Sequence, residues 1–135
     1  MSVYFEKFKG YRIVPANDYS GDYIIQAEEH DDANEMSYHL LRKLNDFLEA
    51  NHLEGILYTF VPALDEPFEG NFAKYDAERM ASCFVLPEKC LEFIAQNDVA
   101  GLLEEQKPED YQDMLEQIHI LTSHWQQGYY VYFWH

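Results

Sequence analysis

The chain has 135 residues, 47% of them hydrophobic and 16% aromatic, which fits one domain with a proper core and argues against general disorder. Twenty-five acids against nine bases give a formal charge of −16, well past the magnitude of about 2–8 that keeps a small domain soluble. So few Lys and Arg argue against direct nucleic-acid binding, two cysteines against a disulfide scaffold, and the lack of any run near 18 apolar residues against a membrane span.

In chain order, Val3 to Phe8 and Tyr11 to Val14 are rich in β-branched and aromatic residues and flank Lys9-Gly10, which predicts a hairpin or bent strand pair. Pro15 to Asp22 has loop composition, and Tyr23 to Ala27 predicts a further short strand. The spacing of Leu40, Leu41, Leu44, Phe47 and Leu48 predicts a helix from about Asp32 to Asn51, stopped by Gly55. Ile56 to Val61, bounded by Gly55 and Pro62, reads as a buried strand, and Pro62 to Tyr75 as a long exposed loop of the kind that often carries function.

Arg79 to Leu86 reads as a strand leading into Pro87, which suits the first turn of a helix with Cys90, Leu91 and Ile94 inward. A short helical piece over Val99 to Gln106 follows. After Pro108, Tyr111, Met114, Leu115, Ile118, Leu121, Thr122 and Trp125 trace one face of a long helix. Gly128 ends it, and Tyr129 to Trp134 reads as a final aromatic strand, a candidate exposed edge for pairing with another copy. Strands and helices mix without regular alternation, so the fold class is α+β: a small mixed or antiparallel sheet with about three helices in a single layer on it.

The acids are unevenly spread. Seven lie between Ile13 and Leu41 and four between Pro108 and His135, with no Lys or Arg in either stretch. The densest group is Glu28, Glu29, His30, Asp31, Asp32 and Glu35. Close carboxylates suit a hard cation, but the glycine and alternating ligands of an EF-hand loop are missing. The plainer reading is a solvated lead-in to a helix, its acids favoured by the helix dipole.

The histidines (His30, His39, His52, His119, His124 and His135) show no zinc spacing, and a gap of six residues between Cys83 and Cys90 is not a usual ligand pattern. His119 reads as a helix-face histidine and His124 as a partner of the helix C-terminus. Cys83 and Cys90 read as small buried hydrophobes on a strand and the following helix. No nucleophile elbow, P-loop or dinucleotide glycine pattern is present, so neither an enzyme nor a cofactor is expected.

From Ser82-Cys83-Phe84-Val85-Leu86-Pro87 through the Pro108 helix to the closing Gly128-Tyr129-Tyr130-Val131-Tyr132-Phe133-Trp134, the chain resembles the C-terminal part of the YfbM-like family of bacterial proteins. That resemblance rests on a strand, a Pro-started helix, a long helix and a last strand after glycine, and implies no activity. In general character the chain is also similar to small acidic immunity proteins that neutralise bacterial nuclease toxins. A basic protein partner, a toxin or nuclease, is therefore expected, held in the cytoplasm. Glu28, Glu29, Asp31, Asp32 and Glu35 would form the contact with Asp65, Glu66 and Glu69, and Tyr23 and Phe68 would be aromatic anchors. The alternatives are a DNA mimic that inhibits a nucleic-acid-binding protein, and a small enzyme or ligand-binding domain with a site lacking any sequence signature.

Overall fold

The β-rich residues at the start of the chain form one strand, β1 (Ser2–Pro15), in a computed structural model that describes residues 1–53 and 56–134. In place of a hairpin at Lys9-Gly10, β1 passes straight through. Gly10 has φ +65°, a left-handed conformation that a residue with a side chain adopts only under strain, so glycine suits this point of the strand. The antiparallel partner of β1 is β2 (Tyr23–Ser37), three times longer than the five-residue strand expected at Tyr23 to Ala27. Asn34 faces Phe5 and Asp32 faces Glu6, leaving Ala33 as the extra residue of a bulge. β3 (Tyr130–Trp134) lies antiparallel on the other side of β1, so the sheet order is β2-β1-β3.

The fold class is the α+β expected, with an antiparallel sheet. Among the described residues six helices accompany it rather than about three, because two segments read as strands are helical. α1 (Tyr38–Ala50) starts after Ser37, whose hydroxyl accepts the Leu40 N–H at 3.1 Å as an N-cap. Residues 32–37, expected in this helix, belong to β2. α2 (Ile56–Phe60) replaces the predicted strand over Ile56 to Val61. Leu57 and Val61, four apart, are buried while Tyr58 and Thr59 are exposed, a helical pattern that overrides local β propensity. Gly55, the expected helix stop, lies outside the described residues, as does His135.

α3 (Lys74–Ala81) replaces the start of the strand expected over Arg79 to Leu86. It buries Ala77 and Ala81, again four apart, and packs against β2. α4 (Pro87–Asn97) begins at Pro87 as expected, and α5 (Val99–Gln106) matches its expected range. α6 (Tyr111–Gln126) buries Met114, Ile118, Leu121 and Trp125.

Strand alternation divides the sheet into two faces. Val3, Phe5, Met36, Val131 and Phe133 enter the main core with Leu41, Leu44, Leu121 and Trp125 from the helices. Phe8, Tyr130 and Tyr132 point the other way into an aromatic cluster with Tyr11, Phe68 and Phe84. There Phe8 stacks on Tyr130 at 4.9 Å and meets Phe84 and Phe68 edge-on at 4.6 and 4.8 Å. The outer edge of β3 is not free for a second copy: Leu64 donates its N–H to Phe133 O, and Phe133 donates to Pro62 O.

Cys90 is fully buried, and desolvation pushes its thiol up to about 12, so it serves as packing. Cys83 is exposed in the turn after α3, contrary to its reading as a buried strand residue. His124 is buried too, and neither ring nitrogen has a hydrogen-bond partner among the described residues. Burial, helped by the charge of Lys7, lowers its pKa from the ordinary 6.5, so it stays neutral instead of serving the helix C-terminus as a cation. The unfolded chain takes up that proton more readily, so stability is full above 6.5 and is lost as pH falls through the lowered value. Leucine fills similar space and leaves no polar atom unpaired. His124→Leu is therefore expected to hold or raise Tm at about pH 7 and to lessen the fall in Tm towards about pH 5. Thermal melts across that range check both effects.

Candidate acidic interaction face

The side of the sheet away from the main core gathers residues distant in sequence. Glu6 of β1 stands opposite Tyr132 of β3, and His30 of β2 stands opposite Phe8, one step along. Tyr132 is 1% exposed, and its hydroxyl donates to Glu6 Oε2 at 2.6 Å. With that proton committed, His30 Nε2, 3.1 Å from the same hydroxyl, is the donor to it. Glu6 Oε1 lies 3.7 Å from His30 Nε2 and pairs with the imidazole when it is protonated. Desolvation, followed by the hydrogen bond to Glu6, raises the Tyr132 pKa far above the ordinary tyrosine range.

The loop between α2 and α3 closes over this network. Phe68 packs on His30 at 4.8 Å as well as on Phe8 and Phe84, and Glu66 and Glu69 line the same recess of about 40 Å³ together with Trp134. Glu66 is raised in pKa, first by its hydrogen bond with Glu69 and then by the charges of Glu69, Glu6 and Asp65.

Trp134 forms the hub. Its indole sits 5.3 Å from the half-exposed Tyr4 ring, with Nε1 shielded and unpartnered among the described residues. On one side an open depression of about 510 Å³ is lined by Asp65, Glu66, Glu69, Gly70, Phe72 and Trp134. On the other, a depression of about 350 Å³ is lined by Asp32, Glu35 and Trp134 beside Tyr4 and Phe5. No Lys or Arg lines either depression or the recess between them, although Arg79 borders a neighbouring hollow that also includes Asp65.

The expected contact residues thus divide. Asp32 and Glu35 join Asp65, Glu66 and Glu69 around Trp134. Glu29 and Asp31 stand opposite Lys9 and Lys7, and alternation turns them to the other face. Both lysines also lie over the Tyr129 ring, at 4.4 and 4.6 Å. Glu28 is exposed beside Gly10. Glu28, Glu29, Asp31, Asp32 and Glu35 all lie on an edge strand and not on a helix, and there their repulsion blocks pairing with another acidic edge.

Phe68 is half-buried and pins its loop to the aromatic cluster. Tyr23 lies at the far end of β2, exchanging backbone hydrogen bonds with Phe72 while Lys74 Nζ sits 5.8 Å from its ring centre, so neither ring is a free anchor. Glu6, Tyr132 and Trp134 are the site residues that sequence reasoning missed. Period-two alternation around Phe5 and Phe133 was the one available signal for the facing of Glu6 and Tyr132.

Among the described residues, no group of three or more His, Cys, Asp or Glu side chains is arranged to hold a metal ion, and no helix is long and apolar enough to cross a membrane. Comparison with protein-family models, with curated proteins and with solved structures found no match.

Proposed function

We propose that this chain is an acidic binding protein that captures a basic protein partner, as a cytoplasmic immunity protein does when it covers the nucleic-acid site of a nuclease-type toxin. The observation that carries the reading is the convergence of Asp32, Glu35, Asp65, Glu66 and Glu69 around Trp134, with no basic side chain in the depressions they line. Carboxylates spaced over such a face take the positions that phosphates take on a basic surface, and their field speeds encounter by a factor of about 10–1,000. The Tyr4–Trp134 pair adds apolar area at the centre, where interfaces concentrate their binding energy.

A DNA mimic would carry a long, regular negative stripe. The turn of Glu29 and Asp31 to the lysine-bearing face favours a local patch, and with it the immunity-type reading over the mimic. An enzyme reading gains little from the Glu6–His30–Tyr132 network: its recess of about 40 Å³ takes a water molecule, not a substrate, and the Tyr132 proton is held tightly.

The test is capture from lysate of the source cells on immobilised protein, with elution between roughly 0.15 and 1 M salt. A single basic protein is expected to be retained by the native chain and lost from an Asp65→Asn, Glu66→Gln, Glu69→Gln variant. Its own activity then separates a toxin from a nucleic-acid-binding host factor. Equal retention by both proteins would sink the assignment of this face.

A further inference from the structure

We propose that the outer edge of β2, over residues 26–32, takes up an extended basic segment of the partner as a fourth strand of the sheet. The inference rests on the reading of the partner as a basic protein and adds the manner of docking.

β2 is an end strand of the sheet. Its first residue already shows what this edge accepts: Tyr23 donates its N–H to Phe72 O at 2.7 Å and accepts the Phe72 N–H at 2.8 Å. One residue of the chain's own loop is thereby paired as a short outer strand, and the loop then departs. Ile25 is buried, and α3 packs against β2; from Gln26 to Asp32 every residue but the half-buried Ala27 is exposed and, among the described residues, no other strand meets this side of β2, although the strand stays regular up to the bulge at Ala33. Such an edge offers a row of backbone donors and acceptors to any extended chain.

The side chains decide which chain that is. Glu28, Glu29, Asp31 and Asp32 are exposed, form no ion pair within 4.0 Å among the described residues, and share the strand with no Lys or Arg. A second copy of β2 would set like charges against like, which cross-strand pairing penalises. A segment bearing Lys or Arg meets acids whichever face its side chains take, because Asp32 and Asp31 alternate between the two faces. Asp32 is also part of the depression beside Trp134, so one partner can pair along the edge and reach the acidic face together.

Amide hydrogen exchange of the whole protein, alone and with a short peptide alternating lysine and valine, tests the proposal. Exchange over residues 26–32 is expected to slow by about tenfold or more with this peptide. The same peptide with prolines at two valine positions keeps the charge but cannot pair along a strand, and should give no protection. If both peptides bind alike and β2 exchanges as before, strand addition is overturned while the acidic face stands. If the lysine-valine peptide does not bind at all, strand addition is also overturned, and the lysate capture then judges the face independently. Equal protection by a peptide alternating glutamate and valine would overturn the charge selection.

Discussion

Replacing Phe8 with alanine is expected to lower the stability of the fold by about 3–5 kcal/mol, the range for deleting a large buried aromatic. Phe8 is 0% exposed and touches the rings of Tyr11, Phe68, Phe84, Tyr130 and Tyr132. It therefore joins four parts of the chain: the central strand, β3 through Tyr130 and Tyr132, the acidic loop through Phe68, and the turn after α3 through Phe84. Loss of the ring leaves a cavity that neighbours on separate elements cannot close without moving the sheet. Urea unfolding measures the effect. A loss under about 1 kcal/mol would mean that the loop and Phe84 collapse readily into the space, and that the aromatic cluster does not fix the loop's position.

Glu6→Ala is expected to cost about 1–3 kcal/mol, because the buried Tyr132 hydroxyl loses its acceptor and cannot reach bulk water. Glu6→Gln keeps an oxygen acceptor in place and should recover most of that loss. Tyr132→Phe removes the donor, so combining it with Glu6→Ala should cost less than the sum of the two changes. Strict additivity across the cycle would show that the 2.6 Å contact contributes nothing beyond its separate parts.

The helices from Pro87 onward were legible because their signals are local. Pro87 opens α4, while Met114, Ile118, Leu121 and Trp125 repeat at helical spacing inside α6. β2 was not legible beyond Ala27. Its acids lie on an edge strand exposed on both faces, so no apolar alternation marks them, and nothing in the sequence separates them from the helical spacing that begins at Leu40. The aromatic and β-branched residues of α2, and Phe84 and Val85 just past α3, suggest strands, while the pairs Leu57/Val61 and Ala77/Ala81 carry the true period over too few turns to stand out.

The candidate face was half legible. Acid-rich composition pointed to Asp32, Glu35, Asp65, Glu66 and Glu69, but their meeting at Trp134 depends on the last strand lying beside the first. Glu6 reads as one carboxylate in a chain of twenty-five acids until register sets it against Tyr132.

That register also governs how the protein is made. β1 is the central strand, yet Phe5 finds Phe133 only when nearly the whole described chain is available. At roughly 5–20 residues per second, β3 follows β1 in synthesis by several seconds. Through that interval Phe8 lacks Tyr130 and Tyr132, and one edge of β1 stands bare. The nascent chain can pair β1 with β2 early, since only a short turn separates them. Closure on the β3 side is a long-range contact and so the slow step of folding. The exposed aromatic ribbon is the form in which this acidic chain is most prone to aggregate, and lower expression temperature should favour recovery of the folded protein.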